Sequence, residues 1–291
     1  ADLSVTQAGL AAVDNVTVVE GNVTITDVAA DVTSAQLAAM AAKVSGDADG
    51  VEFAALDGAT VSADVLATLE SVTTAAGNIT ITGLGSGTAA DTAAVLAKVS
   101  AFGDVNVEMA DGAEISIAAA DMPADITTAV GDTSTVNIGN IDGVDAAGRG
   151  TAAADAAALV EVRNGELNAE IAAGEDASFT AAQLALFDSV TVVEGNVTVT
   201  GVATSTSAQL AAITGKIVGD TAVDIVGNED ANFTVTADQL LALGSLTADG
   251  TGTVTITDVA SSSAADITAL LGQVTVDGGS ISIVPVDGAV I

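Results

Sequence analysis

Several residue types that carry chemistry or stabilise small folds are missing from this chain of 291 residues. The absence of cysteine excludes disulfides and thiolate metal sites, and the absence of histidine removes the commonest general base. There is no Trp or Tyr and there are only five Phe, so large aromatic anchors cannot build the core. Catalysis would need two carboxylates, and no acidic pair is marked by aromatics that could stack a sugar. We predict that the protein is not an enzyme.

Positive charge is also scarce. Five Lys and Arg face 39 Asp and Glu, for a formal net charge of −34 at pH 7. This balance repels phosphate backbones and anionic membrane surfaces, so nucleic-acid binding is not expected. No apolar run reaches the length of a membrane span, so membrane insertion is not expected either. The same surface attracts divalent cations. Highly charged disordered chains lack β-branched apolar residues, which are frequent here, so we expect a folded chain.

The sequence repeats itself. Residues 15–40, NVTVVEGNVTITDVAADVTSAQLAAM, return at 189–213 as SVTVVEGNVTVTGVATSTSAQLAAI. Between these copies the same order recurs: a helical segment opened by a hydroxyl residue, a β-like run, a Gly- and Asn-rich turn and a second, strictly alternating run. The helical segments are predicted to begin near Thr6, Thr33, Ser62, Thr88, Ala118, Ala152, Thr180, Ser207, Thr236 and Ser263.

The alternating runs place one apolar residue inward, between two outward hydroxyl residues. The predicted inward residues are Val5, Ile25, Val61, Ile81, Ile115, Ile138, Phe179, Val199, Val235, Ile256 and Ile281. The outward hydroxyl ladder is predicted at Thr24, Thr26, Thr80, Thr82, Thr198, Thr200, Thr255 and Thr257.

These patterns predict an α/β repeat solenoid over residues 1–291, with one irregular insertion around 140–175. It has about ten coils of helix, strand, turn and strand, each of about 28 residues. In one coil type the strand runs straight into the helix, and in the other a polar loop intervenes, so coils alternate in pairs of about 56 residues. Parallel β-sheets stack with helices at the corners. Because a helix is about twice as wide as the strand spacing, alternate helices are predicted to form two columns; a horseshoe is the alternative.

One acidic turn invites a calcium interpretation. Asp47 and Asp49, with Glu52 behind them, offer carboxylate oxygens of the kind that calcium prefers. The turn lacks the rest of a complete calcium loop, and a solvated turn explains the same residues. No cofactor other than calcium is predicted.

The Ala-, Thr- and Asp-rich tandem pattern, with motifs such as VTITDVA at 23–29 and TSAQLAAM at 33–40, resembles repeats of large secreted bacterial adhesins and surface proteins. The resemblance covers nearly the whole chain and implies an extracellular or cell-surface location. Glycans of a cell surface or matrix are partners that it implies. It transfers no catalytic or binding residue.

Neither end of the sequence shows a polar cap of the kind that solenoids need. Unprotected strand edges pair readily, so we predict that the protein polymerises head to tail with itself into a filament, matrix fibre or surface layer. The predicted assembly interface comprises Leu3, Val5, Ile281, Ile283, Val290 and Ile291.

Two alternatives remain open. The chain could be a spacer or binding segment of a larger adhesin, in which neighbouring coils cover the ends. It could also bind ice through a flat array of Thr-x-Thr residues, although Glu114, Asn137 and Gly139 interrupt that array. Outward Thr is common on β-strands for packing reasons alone.

Overall fold

A computed structural model describes residues 2–29, 32–56, 58–75, 77–100, 103–127, 134–141, 146–161, 165–172, 175–192, 194–219, 222–260 and 262–290, with the backbone alone at 46–49, 140, 147 and 161. The chain divides into two compact units. Unit 1 comprises Ala1–Asn137 and Ala158–Glu166, and unit 2 comprises Ile138–Ala157 and Leu167–Ile291.

The helices are short and begin at hydroxyl caps. Thr33, Thr88, Thr180, Thr206, Thr236 and Ser263 each form a reciprocal capping box with the Gln or Asp three residues later. These local bonds explain why the predicted helix starts fall within a residue of the observed ones at these caps. The α-helices are α1 (Gln7–Ala11), α2 (Ser34–Ala41), α3 (Ala63–Thr68), α4 (Ala89–Leu96), α5 (Ala146–Ala157), α6 (Ala181–Leu184), α7 (Ser207–Thr214), α8 (Ala237–Ala242) and α9 (Ala264–Gly272).

Unit 1 contains two five-stranded sheets whose strands pair in parallel. The first sheet has the order β1 (Leu3–Thr6), β2 (Val16–Thr26), β3 (Val44–Phe53), β5 (Ser71–Thr73) and β7 (Val99–Ser100). The second has the order β12 (Val160–Glu161), β10 (Asp125–Thr127), β8 (Val105–Met109), β6 (Ile79–Leu84) and β4 (Thr60–Ser62). Strand β9 (Glu114–Ala118) also lies in unit 1, and β11 (Thr135–Ile141) runs across the boundary in sequence.

Unit 2 is built in the same way. Strands β13 (Glu166–Ile171), β15 (Ser189–Val192) and β17 (Ile217–Val218) pair in parallel. A five-stranded sheet has the order β14 (Ala177–Thr180), β16 (Asn196–Val202), β18 (Ala222–Glu229), β20 (Ser245–Asp249) and β22 (Val274–Val276). A three-stranded sheet has the order β19 (Phe233–Thr236), β21 (Thr253–Val259) and β23 (Ser280–Pro285). The predicted parallel β-sheets with helices are thus confirmed.

The core consists of stacked aliphatic residues. Of the predicted inward ladder, all members except Val5 and Ile281 are buried, and those two lie on the edge strands β1 and β23. The flanking hydroxyl residues on the outer face are half-buried, as Thr24 and Thr198 are, or exposed, as Ser4 and Ser282 are. Strict alternation of strand side chains accounts for this division.

The sequence step between paired strands differs from the predicted coil length. Along one sheet of unit 1, Val5, Ile25, Phe53, Val72 and Val99 are successive partners, at steps of 20, 28, 19 and 27 residues. Two successive steps therefore sum to 48 or 46 residues rather than about 56. The predicted length was the distance from one helix start to the next. Helix starts are farther apart than paired strands because the chain begins a further sheet at β4, β9, β14 and β19 as it advances.

The two predicted strand-to-helix connections are both present. Helices α1, α3, α6 and α8 directly follow a strand, whereas a loop precedes α2, α4, α7 and α9. Several pairs of successive helices contact one another, among them α2 with α3 and α8 with α9. Those contacts differ from the predicted two columns of alternate helices. Ser34 at the start of α2 shows why: its Oγ donates to Thr60 O and accepts from Ser62 N, so the helix lies against the first strand of a new row.

Two predicted helices differ from those observed. The segment predicted near Ala118 is a single 3-10 turn, Ala119–Asp121, because Ala118 offers no capping hydroxyl and Pro123 cannot continue a helix. The segment predicted near Ala152 begins earlier, at Ala146, so part of the predicted irregular insertion is helical.

Candidate functional site

Outward side chains of neighbouring strands form rows because the strands pair residue by residue. The predicted Thr24, Thr80, Thr198 and Thr255 each follow a Ser or Thr in such a row. The other half of the predicted hydroxyl ladder pairs with helix caps. In chain order the pairs are Thr26 with the cap of α1, Thr82 with that of α3, Thr200 with that of α6 and Thr257 with that of α8. The rows are Ser4–Thr24–Glu52–Ser71, Thr60–Thr80–Asn106–Asp125, Ser178–Thr198–Asp224–Ser245 and Thr234–Thr255–Ser282.

Carboxylates take part in these rows. Glu52 accepts hydrogen bonds from Thr24 Oγ1 at 3.0 Å and from Asn22 Nδ2 at 2.9 Å. Ser245 Oγ donates to Asp224 Oδ1 at 2.7 Å. The hydroxyl ladder is therefore a mixed surface, in which acidic residues accept bonds from the hydroxyl and amide groups beside them.

The predicted calcium turn is only partly described. The side chains of Asp47 and Asp49 lie outside the described residues. Glu52 belongs to β3, and both of its carboxylate oxygens accept the bonds from Thr24 and Asn22. Among the residues with described side chains, no group of three or more acidic residues is placed to hold a metal ion. The calcium site stays a prediction.

Four of the predicted assembly residues, Leu3, Val5, Ile281 and Ile283, lie on strands that each pair with one other strand among the described residues. Strand β1 pairs with β2 and β23 pairs with β21. Leu3 is 40 % exposed, whereas its partner Val23 is completely buried. Ile281 and Ile283 are half-buried, whereas their partners Val254 and Ile256 are completely buried. Both edges thus present apolar residues of the kind that interior strands bury.

The segment after β23 folds back on unit 2. Val286 N donates to Val259 O at 3.0 Å, and Ser262 N donates to Val290 O at 3.2 Å. The Val290 side chain is 76 % exposed. Ile291, the last predicted assembly residue, lies outside the described residues. We call Val286–Val290 the tail segment.

The lysines serve a structural purpose that the sequence analysis missed. Lys98 Nζ donates to the carbonyls of Ala67 at 2.8 Å and Leu69 at 2.7 Å, at the C-terminal end of α3. Lys43 does the same for α1, through Leu10 and Val13, and Lys216 for α6, through Phe187. A cation is favourable there because the last carbonyls of a helix carry partial negative charge.

Arg149 is held inside unit 2. It lies in α5, is 7 % exposed, donates to Asp176 O and forms an ion pair with Glu175. Residue 149 falls in the predicted irregular insertion, and its contact partners lie 26 and 27 residues further along the chain, beyond the reach of any local pattern. Arg163 lies outside the described residues. Lys43, Lys98, Lys216 and Arg149 all bind within the molecule, so the acidic surface has little positive charge to neutralise it.

Three exposed aspartates have pKa values below the ordinary one. The Ser263 hydroxyl and then its backbone N–H donate to Asp266 and lower its pKa. Thr88 lowers the pKa of Asp91 in the same way, and Thr251 lowers that of Asp230. Each carboxylate is favoured because hydrogen bonds stabilise its ionised form.

The capping box of α9 predicts a pH-dependent contribution to stability. The folded-state pKa of Asp266 is lowered, so its stabilising contribution is present above the unfolded pKa, near 3.9, and is lost as pH falls through the folded pKa. Asn at this position keeps the acceptor but does not titrate. We expect the melting-temperature advantage of the natural protein over Asp266→Asn to shrink below about pH 4. A thermal melt at pH 3 to 6 measures this, and an advantage that stays constant across that range contradicts it.

The cavities of the described residues are lined mainly by apolar side chains. One of about 230 Å³ lies between α7 and α8 against Leu210, Ile217 and Val235. Two polar residues that line it are already engaged. Gln239 Oε1 accepts from Thr236 N and its Nε2 donates to Ser207 O, and Thr214 Oγ1 donates to Leu210 O. Neither an acidic nor a basic side chain lines this cavity.

Comparison with known proteins finds no matching family model, no similar curated protein and no similar solved structure. In the described part of the chain, no helix is long and apolar enough to cross a membrane.

Proposed function

We propose that this protein is a non-enzymatic structural protein that assembles head to tail with other copies of itself, through the edges of β1 and β23. The observation that carries the proposal is the exposure of apolar ladder residues on those two strands alone: Val5 and Ile281 are part-exposed, and the other ladder residues are buried. A free strand edge with exposed apolar side chains favours edge-to-edge pairing. A contact between two different edges is heterologous, and it yields a filament when the rotation from copy to copy does not close a ring.

The proposal includes a solenoid architecture, in which the coils of each unit stack on one another. Strand steps near 20 and 27 residues alternate in both units, for example 20, 26, 21 and 28 along Phe179, Val199, Ile225, Leu246 and Val274. This regularity supports a solenoid of stacked coils within each unit. That a single solenoid runs through residues 1–291 stays a prediction. In the proposed filament the same stacking extends from copy to copy.

An extracellular or cell-surface location is the second part of the proposal. The absence of cysteine, the abundance of Thr, Ala and Asp, and the net charge of −34 support it. Filaments of such charge repel one another side by side, so a surface fibre or layer of this protein would gain from salt or divalent cations.

A spacer segment of a larger adhesin is the second candidate, since its neighbouring coils would cover the same two edges. Ice binding is supported less, because Glu52, Asp125 and Asp224 stand within the outward rows. Charged side chains break the uniform hydroxyl surface on which that interpretation depends.

Edge variants test the assembly. We expect Leu3→Lys and Ile283→Lys each to raise the concentration needed for assembly at least about tenfold, because a lysine on an edge strand opposes pairing. Sedimentation velocity over a concentration series measures this effect. Leu186→Lys is the matched control, since Leu186 is 50 % exposed but follows α6 rather than lying on an edge strand.

The control separates a change of net charge from an edge effect. If Leu186→Lys weakens assembly as much as Leu3→Lys does, contact through the edges is refuted. If the natural protein stays monomeric at every concentration and salt condition, the proposed function itself is wrong.

A further inference from the structure

Gly87 and Ser205 each stand immediately before a helix cap, and each pairs with the end strand of a further sheet, β9 and β19 respectively. We call such an end strand a row-opening strand. Gly87 precedes the cap of α4, and its N–H donates to Glu114 O at 3.0 Å while its carbonyl accepts from Ser116 N at 3.0 Å. Ser205 precedes the cap of α7 and makes the corresponding pair. Its N–H donates to Asn232 O, and its carbonyl accepts from Thr234 N, both at 2.9 Å. In each case the new row continues with a strand that leads directly into a helix or a 3-10 turn.

Ser262 is the equivalent residue before the cap of α9, at Ser263. Its N–H donates to Val290 O at 3.2 Å. The acceptor therefore belongs to the tail segment, whereas the acceptors Asn232 and Glu114 each lead into a strand. The tail segment occupies the position where a row-opening strand lies elsewhere in the molecule.

Strand β1 has the features of such a row-opening strand. Asp2 stands four residues before the cap residue Thr6, as Asn232 stands before Thr236 and Glu114 before Ala118. Asp2 Oδ1 accepts from Asn22 N at 3.2 Å, and Asn232 Oδ1 accepts from Thr253 N at 2.9 Å. Their strands also pair alike, Leu3 with Val23 and Phe233 with Val254.

We infer that Ser262 is the docking point for β1 of a second copy, and that the tail segment holds this place until that copy displaces it. In the assembled state Asp2 O of the incoming copy accepts from Ser262 N, and Ser4 N donates to Ser262 O. Leu3 then lies opposite Ser262, as Phe233 lies opposite Ser205 and Ile115 opposite Gly87. The inference rests on the proposed function and specifies it further: β1 of the incoming copy docks at Ser262, between α9 and β21, the neighbour of β23, and the tail segment caps this place beforehand.

The absence of cysteine allows a direct test of this register. Paired residues on adjacent strands lie within the distance that a disulfide can bridge. We expect a mixture of Ser262→Cys and Leu3→Cys proteins to form a disulfide-linked dimer under mild oxidation, and each variant alone to form little. A mixture of Ser262→Cys with Leu186→Cys is the control, because Leu186 is at least as accessible as Leu3 but lies outside the inferred contact.

Removal of the tail tests the second half of the inference. A variant that ends at Val286 lacks the competing Val290 carbonyl. We expect it to assemble at a concentration about threefold to tenfold lower than the natural protein, the range that one net hydrogen bond supplies. Ser262→Pro in the shortened chain removes the shared N–H and should cancel this gain, with circular dichroism reporting that the fold is retained.

The outcomes separate the two proposals. If assembly occurs but the Ser262–Leu3 dimer does not form above the control, or the shortened chain assembles no better, the inferred docking point is wrong and head-to-tail assembly stands. If neither the natural nor the shortened protein assembles, both fail.

Discussion

Phe179→Ala should lower the free energy of unfolding by about 3–5 kcal/mol, the cost of emptying a large core site. Phe179 is completely buried in β14, at a ladder position that valine or isoleucine fills in most other strands. Its ring meets that of Phe187 edge to face, with centroids 6.3 Å apart and planes at 77°. Phe187 follows α6, so this contact holds the helix end against the strand.

Urea unfolding followed by circular dichroism measures the change, with Phe179→Leu as the control. Leucine keeps most of the buried volume and loses mainly the ring contact, so its loss should be smaller, about 1 kcal/mol. Equal losses in the two variants would show that the cavity is not the cause.

Lys98→Met should lower the free energy of unfolding by roughly 2 kcal/mol, because a charged donor is removed from the end of α3. The Lys98 ammonium donates to Ala67 O and Leu69 O, with a longer bond of 3.4 Å to Leu66 O. Methionine keeps the apolar stem but leaves these carbonyls without that donor. Thermal unfolding at low and moderate salt measures the effect.

The chain supplies its own control for this substitution. Gln273 takes the corresponding place beside α8, where its Nε2 donates to Leu243 O at 3.2 Å. Lys98→Gln should therefore retain part of the stabilisation that Lys98→Met loses. If glutamine and methionine destabilise the protein equally, donation to the α3 carbonyls is not what lysine contributes.

The local features of the fold could be predicted from the sequence. Strand alternation identified Ile25, Val61 and Phe179 as core residues, and all three are completely buried. Hydroxyl residues before apolar residues at helical spacing identified helix starts such as Thr33 and Ser263, where the structure has capping boxes. These predictions succeeded because each depends on residues within one turn of the chain.

Features that depend on distant partners could not be predicted in this way. Lys98 and the carbonyls that it binds are about 30 residues apart in sequence, and no local pattern relates them. Arg149 in α5 and Glu175, just before β14, likewise form an ion pair although they are 26 residues apart in sequence. The sequence likewise predicted hydroxyl rows but could not place Glu52 beside Thr24, since strand pairing decides that neighbour.

The candidate assembly surface could be predicted from the sequence only in part. The sequence indicated apolar edge residues, and the structure shows Leu3 and Ile283 less buried than their partners in β2 and β21. Which edge meets which depends on backbone hydrogen bonds, such as that from Ser262 to the tail segment. Those bonds follow from the course of the chain rather than from any residue type.

Negative-stain electron microscopy of the purified protein, with and without millimolar calcium, tests the central claim most directly. The account predicts unbranched fibres of constant width that lengthen with protein concentration. Single particles of one size at every concentration, with and without calcium, would contradict head-to-tail assembly.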